Sequence, residues 1–278
     1  VAVRRGTGER MVAGVVALGF AVFAMFPLVW TLLTSLKQEP DIIASGVRLL
    51  PHPVTLQNYV SIWTQSGLPG LMWNSAVTTG LTMVICVVAG TLASYSLSRT
   101  RFRGRSGLLL FFLVLRMFPV VLMVVPLFVI LRGAGLLDTS IGLALAYSGF
   151  LLPIFIWMMK GFFDAIPLEL EEAARMDGCT RMGAMLRVVL PLVKGGLGAC
   201  TVFVGIAAWN EYLFALMLTT SGGSRTWPVG LQLMVGEFQL PWGALSAGGI
   251  LSVVPVLVLF AFVQRSMVRG LAAGAVKG

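Results

Sequence analysis

A chain of 278 residues that is 58% apolar and 11% charged, with a mean hydropathy of +0.93, lies far from the roughly one-quarter charged content of water-soluble domains. Its formal net charge of +9 raises nucleic-acid binding as a class, but the cations sit in short loops between long apolar runs, so the expected surroundings are a lipid bilayer and no nucleic acid. Cys86, Cys179 and Cys200 lack metal-ligand spacing and His52 is the lone histidine, so neither a disulfide nor a metal site is expected.

Arg4, Arg5 and Arg10 precede an apolar run over residues 11–33. That run is too long for a signal peptide and has no small-residue cleavage site; with ~20 residues needed to cross the hydrocarbon core, it reads as a first span. Residues 37–69 form an outer segment in which Pro51-His52-Pro53 forces extended backbone and Thr55 N-caps a short helix through Trp63. A second span covers 71–97, where Gly80 and Gly90 permit close helix approach. Arg99, Arg101, Arg103 and Arg105 then crowd one short loop. The third span, 107–131, contains Pro119 and Pro126, which remove backbone donors and kink it. A fourth span covers 141–159, a fifth 193–218 and a sixth 244–263, with a polar loop of Gly, Pro and Trp residues over 219–243. The expected fold is all-α: one polytopic transmembrane domain over 1–278 with six helices.

Of the 20 Lys and Arg, 15 fall on the side that holds both termini, the arginine loop and the segment between spans four and five. Such an excess marks the cytoplasmic face.

That segment, 167–191, is charged and helix-forming. Pro167 suits a first helical turn, and Glu169, Glu171 and Glu172 complement the helix dipole. Asp177-Gly178 reads as a break, since Gly tolerates the left-handed conformation, and a second short helix starts near Thr180. Glu172-Ala173-Ala174, then Gly178, then Val188, Leu190 and Pro191 resemble the signature Glu-Ala-Ala, three residues, Gly, nine residues, Ile, any residue, Leu-Pro, with Val188 in place of the usual Ile. This is the coupling loop of binding-protein-dependent ABC importer permeases. The resemblance implies that Glu172, Ala173, Ala174, Asp177, Gly178, Val188, Leu190 and Pro191 dock into a groove on a separate ATPase subunit. A solvated hairpin without a partner is the alternative.

The resemblance extends through Thr55–Tyr59, Met117-Phe118-Pro119, Leu136–Thr139 and Trp209-Asn210-Glu211 to the C-terminus, and is similar to the carbohydrate branch, in particular the six-helix second permease of maltose-type importers. It implies a second homologous permease, two ATPase subunits, an extracytoplasmic solute-binding protein and a sugar substrate. Gly274, Ala275, Val276, Lys277 and Gly278 would reach between the ATPase subunits, or else form a frayed terminus. The loop carrying Trp227, Pro228, Gly236, Glu237 and Phe238 would meet the binding protein.

No Gly-rich phosphate loop with Lys and Ser/Thr exists here, so no catalytic residue and no cofactor is expected in this chain. ATP and magnesium would bind the partner subunits. No pair of intramembrane carboxylates offers a proton relay, which argues against a secondary transporter. Two ionisable residues fall within spans, where charge is costly and usually functional. Arg116 lies ~15 Å beyond the arginine loop, at a position where the family commonly has an uncharged polar residue. It either faces the pathway or pairs with the companion permease. Glu211, ~27 Å from the inner surface, stands in Trp209-Asn210-Glu211-Tyr212, a set of planar polar and aromatic groups that suits sugars and equally suits helix–helix hydrogen bonding. A permease for a polyol, polyamine or amino acid is the remaining alternative within the class.

Overall fold

Long apolar runs fold as helices because a bilayer offers no water to unpaired backbone groups. The computed structural model describes residues 7–43, 49–64, 67–236 and 240–275 and has no strand among them. Glu237, Phe238, Val276, Lys277 and Gly278 lie outside the described residues.

The helices are α1 (Thr7–Ser35), α2 (Glu39–Ile43), α3 (Gln57–Thr64), α4 (Leu68–Arg99), α5 (Arg105–Met117), α6 (Val124–Gly133), α7 (Ser140–Asp164), α8 (Leu168–Met176), α9 (Arg181–Ala184), α10 (Leu190–Leu192), α11 (Lys194–Trp209), α12 (Leu213–Leu218), α13 (Trp227–Leu233) and α14 (Trp242–Ala275). A 3-10 turn, Val120–Met123, precedes α6, and a π-helical turn, Met185–Val189, joins α9 to α10. Among the described residues four helices are long and apolar enough to cross a membrane: Met11–Ser35, Leu68–Arg99, Ser140–Asp164 and Trp242–Ala261. Two bent pairs, Arg105–Met117 with Val120–Gly133 at 100° and Arg181–Leu192 with Lys194–Trp209 at 81°, bring the number to six when each counts as one span.

The third span is therefore broken rather than kinked. Pro119 holds its predecessor Phe118 in extended backbone, φ −73° and ψ 132°. Pro126 falls in the first turn of α6, where its missing N–H costs nothing, and leaves that helix intact. The expected continuous 193–218 helix is also two pieces, separated at Asn210–Tyr212.

The chain forms two compact units, residues 1–68 with 231–254 and residues 69–230 with 255–278. In the first, the Glu39 carboxylate accepts from the N–H groups of Trp242 (2.8 Å) and Gly243 (3.0 Å), capping α14. Asn58 donates to the carbonyls of Ser35 and Lys37, each at 2.8 Å. In the second, α7 packs on α4 and α11 around Cys86, Phe155, Met159, Phe163, Cys200 and Val204, all fully buried. A further apolar cluster links α6, α7 and α12 through Leu131, Tyr147 and Phe214.

The two glycines singled out in the second span differ. A Cβ on Gly90 would overlap the fully buried Phe155 ring, whereas nothing lies within 4 Å of one on Gly80. Gly90→Ala is expected to destabilise the detergent-solubilised protein by about 1–3 kcal/mol through overpacking. Gly80→Ala is expected to be neutral or to stabilise by up to about 1 kcal/mol through helix propensity. Thermal unfolding of both variants checks the contrast.

Candidate functional site

The 167–191 segment is a helical hairpin. Pro167 precedes α8, whose first turn carries Glu169 and Glu171. The helix ends as its sequence demands. Gly178 adopts φ 89°, its N–H bonds to the Arg175 carbonyl at 3.1 Å, and the Cys179 N–H bonds to the Ala174 carbonyl at 3.0 Å. This pair of bonds is a Schellman motif, and it needs a residue that accepts positive φ. Two residues later Thr180 restarts the chain as an N-cap, its hydroxyl accepting from Gly183 N–H at 3.1 Å.

The signature residues divide by exposure. Glu172, Ala173, Asp177, Gly178 and Pro191 are exposed, Val188 and Leu190 are half-buried, and Ala174 is buried. Around them stand unpartnered apolar side chains, Leu168, Leu170, Met182 and Leu186, with Met176 88% exposed. The hairpin is held from beneath by Ala184, Met185 and Val189, the last two entering the core shared by α4, α7 and α11. Leu190 packs against the same core.

One residue that sequence reasoning treated only as a dipole partner has a larger part. Glu171 is 3% exposed. Its Oε1 accepts from Tyr95 Oη, and its Oε2 pairs with Arg99 Nε at 3.0 Å. Arg99 also donates through Nη2 to the Ile166 carbonyl at 3.0 Å. Tyr95 and Arg99 stand one turn apart on α4, which places both on one face. That spacing was readable; their shared partner, 72 residues from Arg99 and 76 from Tyr95, was not.

The candidate pathway residues occupy helix ends. Arg116 lies in the last turn of α5, exposed, beside the break at Phe118-Pro119. Among the described residues no carboxylate pairs with it. Trp209 is buried and closes α11, and the exposed Asn210 returns its amide to the Ile206 carbonyl at 2.9 Å. Glu211 caps α12, accepting from Phe214 N–H at 2.8 Å and Ala215 N–H at 3.2 Å. Tyr212 is half-buried against the α6–α7–α12 cluster. The four residues thus differ in exposure: Trp209 is buried, Asn210 exposed, and Glu211 and Tyr212 half-buried.

Trp227 starts α13 but is fully buried, its N–H bonded to Ser75 Oγ at 2.7 Å. Its ring is a packing group rather than part of a contact surface. Pro228 is half-buried and Gly236 exposed. Gly274 and Ala275 close α14.

The loop leading to α13 is organised by Asp138, a residue at φ 59°. Its Oδ1 accepts from the N–H groups of Thr220 (2.8 Å) and Ser221 (3.1 Å) and from Ser224 Oγ. Burial pushes the carboxyl upward, but the hydrogen bonds from Ser224, Thr220 and Ser221 together outweigh it and hold Asp138 well below the usual carboxylate range. A depressed folded-state value stabilises the fold above the ordinary 3.8, and the contribution fades as pH falls below it. Asp138→Asn is expected to lower the unfolding temperature at neutral pH and to lose less stability than wild type on acidification to about pH 3. Thermal melts at the two pH values decide it.

Comparison with known proteins follows the same architecture. Residues 86–272 match the family described as binding-protein-dependent transport system inner membrane component. The chain is 37% identical over 257 residues to the sulfoquinovosyl glycerol transport system permease protein SmoH of Agrobacterium fabrum, covering 92% of this chain and 90% of that protein. It is 33% identical over 273 residues to the trehalose/maltose transport system permease protein MalG of Thermococcus litoralis, covering 97% and 98%. A chain of a bacterial ABC transporter involved in the import of the acidic polysaccharide alginate shares the fold, with a TM-score of 0.79 and 23% identity over 94% of this chain and 98% of that one. An all-helical, multi-pass chain that carries the Glu172–Pro191 hairpin and matches these permeases along nearly its whole length belongs to the binding-protein-dependent transport system inner membrane component family.

Proposed function

We propose that this chain forms half of the translocation pathway of an ATP-driven importer for a sugar or oligosaccharide. The hairpin over 167–191 is its docking site for a separate ATPase subunit. The observation that carries the reading is the hairpin's outer surface: a low-relief Ala173, the Glu172 and Asp177 carboxylates and several apolar side chains, all left uncovered by this chain. A partner that buries them gains the hydrophobic term that this chain by itself forgoes. Sugar as the solute class is supported by the names of the relatives, which transport sulfoquinovosyl glycerol and trehalose or maltose.

The assembly contains a second homologous permease, two ATPase subunits that hold ATP and magnesium, and an extracytoplasmic solute-binding protein. Both termini and the hairpin lie on the cytoplasmic side of a bacterial inner membrane, because 15 of the 20 Lys and Arg fall there. The outer loop whose sequence includes Pro228, Gly236, Glu237 and Phe238 meets the binding protein. The C-terminal Gly274–Gly278 stretch reaches the ATPase interface. Arg116 lines the pathway: a guanidinium inside a span needs water or polar groups around it, and its exposed position beside the Phe118-Pro119 break supports that role. Trp209, Asn210, Glu211 and Tyr212 shape that pathway by fixing the break in the fifth span, with Asn210 its exposed polar member.

Affinity purification of the tagged chain from its native membrane tests the assembly. An ATPase, a second permease and a sugar-binding protein should co-purify, and titrating the binding protein with sugars then names the solute. Recovery of the chain alone or only as a homo-oligomer would count against the reading. Gly178→Val, which puts a β-branched residue at φ 89°, is expected to lower uptake about tenfold or more, within the range of site-to-site coupling energies. Normal uptake by an intact assembly would contradict the docking role of the hairpin.

A further inference from the structure

Only two of the nine residues of α8 are buried, Glu171 and Ala174, and they share one face. A helix this short does not hold itself together in water, and the methyl group of Ala174 contributes little burial. α8 packs against the second arm of the hairpin, and what ties it to α4 is the Glu171 carboxylate, both oxygens of which are engaged there. One guanidinium, Arg99, holds the middle of α8 through Glu171 and its entrance through the Ile166 carbonyl, each at 3.0 Å. The two side chains are 7% and 5% exposed. Tyr95 completes the joint and sets its ring edge-on to Phe163 of α7, 5.7 Å between centroids.

The second arm of the hairpin is attached differently. Met185 and Val189 enter an apolar core, and its polar ties to α4 and the residue after it are long: Arg181 donates to Thr100 Oγ1 at 3.3 Å, and Tyr95 Oη donates to the Arg181 carbonyl at 3.5 Å. Apolar contacts are non-directional and allow sliding. A charge-assisted, hydrogen-bonded pair has directional geometry and fixes a register.

We propose that Glu171, held by Arg99 and Tyr95, is a positioning residue that makes α8 and the adjoining end of α4 move as one body. Displacement of the docking face is then delivered to the second span, and changes in the pathway are delivered back to the ATPase. The proposal rests on the reading of the 167–191 hairpin as an ATPase-docking loop.

The test measures ATP hydrolysis by the purified complex in lipid vesicles, with and without its co-purified binding protein carrying whatever ligand it holds. Coupling between sites is reciprocal, so the ratio of the two rates reports transmission through the joint. Glu171→Gln keeps the shape and strands the Arg99 charge; Tyr95→Phe removes one hydrogen bond; the pair Glu171→Gln with Arg99→Gln removes both charges. In Glu171→Gln, hydrolysis without the binding protein should persist while the stimulation ratio falls about tenfold. Tyr95→Phe should show a smaller fall, and the double variant, which strands no charge but still lacks the ion pair, should keep the ratio low. A merely structural role would lower both rates together and leave the ratio unchanged. An unchanged ratio in both Glu171→Gln and Tyr95→Phe overturns the proposal. If Glu171→Gln does not assemble, Tyr95→Phe decides by the same ratio. A wild-type complex without an ATPase, or one whose hydrolysis ignores the binding protein, overturns the docking reading and this proposal with it.

Discussion

No water reaches the backbone inside a bilayer, so each interruption of a spanning helix has to be sealed by the chain's own groups. Three interruptions in this protein obey that constraint in three ways. At Phe118-Pro119 the Phe118 N–H returns to the Leu115 carbonyl at 3.3 Å. At Val193 the N–H bonds back to Val189 and the carbonyl accepts from Leu197, so the 81° bend leaves that residue paired on both sides. At Asn210–Tyr212 side chains do the sealing, Asn210 on the Ile206 carbonyl and Glu211 on the first donors of α12. A half-buried carboxylate that reads as a candidate solute ligand in sequence is thus what seals the break in the helix.

A carboxylate stands beyond each end of α7 in the chain. Asp138 gathers the loop before α13, and Glu171 gathers α8 onto α4. With 25 residues, Ser140–Asp164, α7 is about 38 Å long, close to the thickness of a membrane. Each carboxylate uses short-range hydrogen bonds where backbone N–H groups or a guanidinium are already fixed, which limits the cost of burying charge. The loops that leave the membrane are therefore held in place by the helix bundle, while the outer surface of the 167–191 hairpin stays open.

Some of this was legible residue by residue. Gly178 after a charged helix signalled the positive-φ turn because few other residues tolerate it, and Thr180 signalled the restart. Pro119 signalled an interruption, though not its 100° size, which depends on what the two halves pack against. Gly80 and Gly90 were indistinguishable in sequence; only Phe155 separates them. The family resemblance puts Trp227 on a loop that meets the binding protein, yet its side chain is fully buried.

Apolar run length and the turn and cap residues of 167–191 by themselves determined an all-helical membrane protein with a helical hairpin, because these are properties of consecutive residues and of their preference for lipid or water; resemblance of the Glu172–Pro191 spacing to a family signature added the permease. Tertiary structure alone decided that Glu171 joins α8 to α4, that Glu211 caps a broken span and that Asp138 organises a distant loop. Each of those carboxylates is defined by the donors facing it, and donors 72 or 82 residues away, or across a break in the chain's own helix, are brought there only by packing.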